Sequence, residues 1–132
     1  MANRADGLII NSLGDSVSST HAPAANTTAQ ATITPSSGAT RVCMTNIGWS
    51  IRNATAAAYT ATLNVRDVST GGNTVVASWD VVVAVGGSAQ DSFNYTYKGN
   101  RGDSVQVDFG TPAASVVQKV NIAGWREDNT WN

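Results

Sequence analysis

A nucleophile, a general base and a metal ligand each need particular side chains brought close together. This chain of 132 residues is poor in all of them. It holds one histidine, His21, and one cysteine, Cys43. A Ser-His-Asp relay needs an imidazole fixed by a third group in a packed site. His21 falls instead in N-S-L-G-D-S-V-S-S-T-H-A-P-A-A-N-T-T, residues 11–28, a small, polar stretch with no sustained periodicity. Cys43, set among apolar residues, reads as an inert buried thiol. A metal site takes clustered His, Cys or carboxylates, and the nine acidic residues are scattered. Asp67 and Asp80 could pair as glycosidase carboxyls, which sit about 5–10 Å apart in a cleft. Their places at strand ends or on a wet face argue against it. No glycine-rich run leads into a Lys-Ser/Thr phosphate loop. The expectation is a protein that is not an enzyme, with no catalytic residues, no metal and no cofactor.

Two segments have more to say. Lys98-Gly99-Asn100-Arg101-Gly102-Asp103 contains Arg-Gly-Asp, the letters of a cell-adhesion signal, yet it lies between two alternating runs. Gly99 and Gly102 accept positive φ, and Asn100 and Asp103 can hydrogen-bond nearby backbone. A hairpin loop accounts for every residue except the choice of Arg. At the other end, N-I-A-G-W-R-E-D-N-T-W-N places Trp125 and Trp131 beside Arg126, Glu127 and Asp128. Aromatics next to Arg and a charged rim are typical of interface anchors. A Trp ending the last strand in the core, or one stacking on a sugar, is the alternative.

The positioning elements follow from the hydropathy pattern. Cys43, Thr45, Ile47, Trp49 and Ile51 share one parity, and Tyr59, Ala61, Leu63 and Val65 alternate with Thr60, Thr62, Asn64 and Arg66. Val75, Ala77, Trp79, Val81, Val83 and Val85 face one way, as do Phe93, Tyr95 and Tyr97, and then Val105, Val107 and Phe109. A last run spans Val116 to Trp125. Period two with β-branched and aromatic residues marks half-buried strands, and Ser69-Thr70-Gly71-Gly72-Asn73 and Gly86-Gly87 mark turns. No segment sustains a helical apolar period. The expectation is all-β: a β-sandwich of about seven or eight antiparallel strands, jelly-roll or immunoglobulin-like. Trp49 and Trp79 fall on the inward parity.

Three units are expected: an extended N-terminal arm (1–28), a β-sandwich domain (29–125) and a short C-terminal tail (126–132). In the arm, Leu8, Ile9 and Ile10 form an apolar hook that should dock on a partner. Eight basic and nine acidic residues, with no Lys or Arg run, disfavour nucleic acid. No stretch approaches the roughly 20 apolar residues of a membrane span, and M-A-N-R-A-D-G lacks the apolar run of a secretory signal. The chain is therefore expected to be made in a cytoplasm. The sequons at Asn26, Asn53 and Asn94 then read as chance in a chain rich in Asn and Thr.

Met1-Ala2-Asn3, the arm up to Thr28, the Thr/Ala/Val/Gly-rich domain through Trp125 and the tail Arg126–Asn132 together resemble, in overall plan, the small decoration (cement) proteins on the heads of tailed bacteriophages. The resemblance implies a non-enzymatic virion structural protein on the capsid surface. Its partner would be the major capsid protein, and it would form a homo-oligomer, dimer or trimer. Contact residues are then expected at Leu8, Ile9, Ile10, Trp125 and Trp131. A carbohydrate-binding or host-recognition module on a tail or fibre is the competing expectation.

Overall fold

The structure is a computed structural model and describes residues 15–127. Eight strands form: β1 (Asp15–His21), β2 (Gln30–Ile33), β3 (Arg41–Asn53), β4 (Tyr59–Ser69), β5 (Gly72–Val83), β6 (Ser88–Lys98), β7 (Ser104–Phe109) and β8 (Val116–Glu127). They make two four-stranded sheets, β1-β8-β3-β6 and β2-β7-β4-β5, with every pair antiparallel. We call these sheet A and sheet B. Only β4 and β5 are neighbours in both sequence and sheet; every other consecutive pair crosses between the layers. That order is the jelly roll. In an immunoglobulin-like sandwich several consecutive strands share a sheet, so that alternative falls.

The two inner faces hide the apolar parity of each strand. Met44, Ile47 and Ile51 from β3, and Val120 and Ile122 from β8, meet Leu63, Val65, Val105, Val107 and Phe109 of sheet B. Phe109 is the largest fully buried side chain and packs edge-on against Trp49, with ring centroids 6.0 Å apart. Truncating such a ring costs on the order of 3–5 kcal/mol.

Where the structure departs from the expected parity, a bulge is the cause. The register of β3 shifts between Met44 and Asn46 against both neighbours. Val42 and Met44 therefore point into the core, and Cys43 turns to the outer face of sheet A. Gly124 is the residue that permits this approach, because a Cβ there would strike the Cys43 carbonyl. A second shift sets Val75 opposite Arg66 while Ala77 stays opposite Val65. Val75 consequently leaves the inward parity and is 45% exposed.

Strands also run across the expected boundaries. The stretch assigned to an arm ending at residue 28 includes β1, which pairs along its whole length with β8, from Asp15 opposite Arg126 to His21 opposite Val120. Its inner side carries only one apolar residue, Val17, followed by Ser19 and His21. These two bind across the sandwich: the Ser19 hydroxyl accepts the Thr32 N–H at 3.3 Å and His21 Nδ1 accepts the Gln30 N–H at 3.0 Å. At the other end β8 runs on to Glu127, past the expected boundary at Trp125.

Polar residues close the ends of the sandwich. Gln118, fully buried, accepts the Ala29 N–H at 2.9 Å and donates to the Tyr59 hydroxyl and the Gly110 carbonyl. Asn53, also fully buried, donates to the carbonyls of Ala57, Val83 and Ala84 and accepts from the Thr55 N–H and hydroxyl. Its amide is thus committed to the fold, which removes one of the three sequons from the surface.

Candidate interaction surfaces

The Arg-Gly-Asp segment is the connection from β6 to β7; these strands lie in different sheets, so it is a crossover between the layers and not the expected hairpin. Gly102 takes φ +81°, which its lack of Cβ allows, and the Asp103 N–H returns to the Asn100 carbonyl at 3.1 Å. The loop is tied to the body. Gly99 N–H donates to the Val42 carbonyl, Gly102 N–H to the Thr40 carbonyl, and Asn100 N–H to Asp67. Asp67 sits beneath, accepting the Tyr97 hydroxyl at 2.6 Å, and Asp103 shares a hydrogen bond with it. Burial opposes ionisation of Asp67, but hydrogen bonds from Asp103, Tyr97 and Asn100 outweigh it and bring its pKa below the ordinary value. The hydrogen bond to Asp67, with desolvation and the neighbouring charge, raises that of Asp103. The acid of the tripeptide is therefore turned onto the sandwich. Asp67, expected at a wet strand end, is in fact a buried anchor; Asp80, expected on a wet face, is exposed.

Trp125 lies on the outer face of sheet A, between Ser16 of β1 and Cys43 of β3. It is half-buried, and among the described residues its indole N–H has no hydrogen-bond partner although it is shielded from solvent. Around it stand Cys43, Arg41 and the Lys98–Glu127 ion pair at 2.8 Å. Desolvation, then the Glu127 carboxylate 3.6 Å from its sulfur, pushes the Cys43 thiol up to about 11. Trp125 is thus neither a core residue nor freely presented. Leu8, Ile9, Ile10 and Trp131 lie outside the described residues.

Three surfaces stand out that the alternation pattern did not single out. The first is strand β5, a free edge of sheet B with unpaired backbone groups along one side. Val75, Val76 and Val82 on this strand, and Val85 in the following turn, are 45%, 36%, 69% and 57% exposed. The second is a cleft of about 350 Å³ between β5 and β6, the free edges of the two sheets on that side. Trp49, Trp79, Val81 and Phe93 form its walls over Leu63, and Asp80 and Asp91 complete its lining. Trp79 meets Phe93 and Tyr95 edge-on at 5.2 and 5.1 Å. Both tryptophans point inward as expected, yet both stay half-exposed because no further strand closes this side. The third is a groove of about 460 Å³ on the outer face of sheet A, lined by Gly48, Trp49, Ser50, Gln90, Asp91, Ser92, Lys119 and Asn121. At Gly48 a Cβ would meet the Asn121 amide. Among the described residues no three His, Cys, Asp or Glu side chains gather as a metal cluster would require.

No family model and no curated protein matches the chain. Solved structures similar to it include a family 4 carbohydrate-binding module, at 12% identity and a TM-score of 0.42 over 74% of this chain. This chain spans 59% of the length of that structure. They also include the cowpea mosaic virus top component, a naturally occurring empty particle, at 13% identity and a TM-score of 0.40 over 81% of each chain. The infectious bursal disease virus Gx strain matches at 11% identity and a TM-score of 0.41, over 85% of this chain and 30% of that one. Viral particle proteins and carbohydrate-binding modules therefore both stand among the structural neighbours, at distances that transfer no function.

Proposed function

We propose that this protein is a non-enzymatic structural component of a virion, a decoration protein that binds the outer surface of a phage head. The observation that carries this reading is the free β5 edge with its exposed valines. An unpaired, long and nearly uncharged edge strand is a template for pairing with another chain, which monomeric proteins normally blunt with Lys, Pro or a cover. β5 has no Lys, Pro or cover; one bulge, at Val76, and one charge, Asp80, are all that interrupt it. Exposed apolar residues gathered on one strand mark an association surface rather than a catalytic one. The partner on the head is the major capsid protein, and the sandwich forms a small closed homo-oligomer, dimer or trimer. Such a protein acts by burying surface across neighbouring subunits, which stabilises only the assembled state.

The test is co-sedimentation with undecorated heads, followed by their thermal release of DNA. Wild-type protein should co-sediment and raise the release temperature, while Val76→Lys with Val82→Lys should stay folded and do neither. Full protection by the double variant would refute the role of this edge.

A second reading is supported by the groove on sheet A, whose amides, hydroxyls and single Lys119 could hydrogen-bond a sugar. It expects Asn121→Ala and Gln90→Ala to abolish retention on a glycan array while leaving particle binding intact. Absence of wild-type retention at millimolar glycan removes it.

A further inference from the structure

We infer that the cleft between β5 and β6 is a socket for an arginine side chain, carried on an extended partner segment that adds to the free edge of β5. This extends the docking role proposed above, and its test below fails separately from that one.

The chemistry of the walls selects the ligand. Two half-exposed indoles and a phenyl ring line the cleft, and no Lys, Arg or His does. Aromatic rings attract a cation through their quadrupole, most strongly when the site is partly desolvated. Asp91 is directly opposite Trp49 in the β3–β6 register and on the same inward parity. Its Oδ1 accepts only the neighbouring Ser92 N–H, at 2.8 Å. Asp80, between the inward Trp79 and Val81, turns its carboxylate to the outer face of sheet B, where the Thr62 hydroxyl donates to it at 2.8 Å. Among the described residues neither carboxylate has a cationic partner, since the ion pairs there are Arg66–Asp108 and Lys98–Glu127. An aromatic slot beside the unneutralised carboxylate of Asp91 is complementary to a cation. A planar guanidinium meets both demands, stacking on rings and pairing with a carboxylate through its fork of N–H groups.

The position of the cleft selects how the cation arrives. A strand added alongside β5 would satisfy that edge's backbone N–H and C=O groups. Side chains of a strand alternate between faces. Those on its inner face would continue the row of Ala77, Trp79 and Val81 and hang over the gap toward β6. One long basic side chain in that row reaches between Trp79 and Asp91.

The probe is the pentapeptide acetyl-Thr-Val-Arg-Val-Thr-amide, titrated into the 15N-labelled full chain and followed at the indole N–H resonances. Controls are the same peptide with citrulline, the neutral isostere of arginine, and acetyl-arginine-amide. Saturable shifts of Trp49 and Trp79 with Trp125 unmoved are expected. Binding should weaken about tenfold with citrulline and about tenfold in Asp91→Asn, the worth of one charge contact. The asparagine at position 91 can still accept the Ser92 N–H, so that variant keeps its local fold. Equal binding of the arginine and citrulline peptides, or no shift at either indole, overturns the assignment. Free acetyl-arginine-amide binding as tightly as the peptide overturns the added strand and assigns the cleft to a free organic cation. Loss of head co-sedimentation alone overturns only the docking role, because the peptide titration needs no particle.

Discussion

Replacing Gln118 with Leu tests whether the sandwich is closed by a polar clasp rather than by apolar packing alone. The two side chains are close in volume, so no cavity forms. The substitution removes the bond that accepts the Ala29 N–H at 2.9 Å and the bonds to the Tyr59 hydroxyl at 3.2 Å and the Gly110 carbonyl at 3.3 Å. The three partners are not equally harmed. Tyr59 still donates to the Thr111 carbonyl, and Gly110 is half-exposed and can turn to water. Ala29 is fully buried, and its N–H has no substitute. An unpaired buried donor costs about 1–3 kcal/mol, and each lost net bond about 1 kcal/mol. The extra apolar burial of Leu returns part of this. The expected loss is about 2–3 kcal/mol, a large share of the roughly 5–15 kcal/mol of a typical domain. Urea unfolding followed by tryptophan fluorescence should show the midpoint falling by about 1 M or more with the slope unchanged. Tyr59→Phe, which spares the Ala29 bond, should lose under about 1 kcal/mol. A Gln118→Leu variant within about 0.5 kcal/mol of wild type would refute the clasp.

Further outcomes follow from other parts of the fold. Gly124→Ala should cost about 1–3 kcal/mol in the same urea assay, because the new methyl meets the Cys43 carbonyl, which is backbone and cannot move aside. Cys43, with its thiol held near 11, should react with a disulfide reagent at pH 8 far more slowly than a free thiol of pKa about 8.5; reaction at the peptide rate would contradict its placement. The Asp67–Asp103 pair makes stability depend on pH in two opposite senses. Asp103, with its raised pKa, contributes fully below the ordinary carboxylate value and loses that contribution as pH rises through its folded pKa. Asp67, with its lowered pKa, contributes above the ordinary value and loses it as pH falls through its folded pKa. Asp103→Asn keeps a donor toward Asp67 without titrating. Its urea midpoint should therefore lack the wild-type decline just above the ordinary carboxylate range of about 4, and parallel curves would refute the shared hydrogen bond.

Most strands were legible because their inner faces are apolar and their outer faces polar. Tyr59 to Val65 announces β4 without ambiguity, and Phe93, Tyr95 and Tyr97 announce β6. β1 was hidden because its inner side reads Val17, Ser19, His21, two of which hydrogen-bond across the gap instead of packing. The bulges at Thr45 and Val76 were hidden too. One inserted residue flips parity without changing composition, so Cys43 and Val75 seemed inward when they are not. The jelly-roll order rests on pairings between residues many tens of positions apart, which local periodicity cannot carry. The same holds for the surfaces. Trp49 and Trp79 were correctly placed on the inner parity, but only the identity of the free edges leaves their rings half-open to solvent.

The placement of β8 has a consequence for biosynthesis. It is the last described strand along the chain, yet it sits between β1 and β3 in the middle of its layer. While residues from Val116 onward are still inside the ribosome, β1 has no neighbour and one side of β3 is bare. Sheet B, whose strands all precede β8, can assemble first. Translation that stops short of Val116 therefore releases a nascent species with sticky, unmatched margins, prone to aggregate. Folding should be slow for a chain of this size, because β8 pairs only with β1 and β3, strands that lie far before it in the sequence.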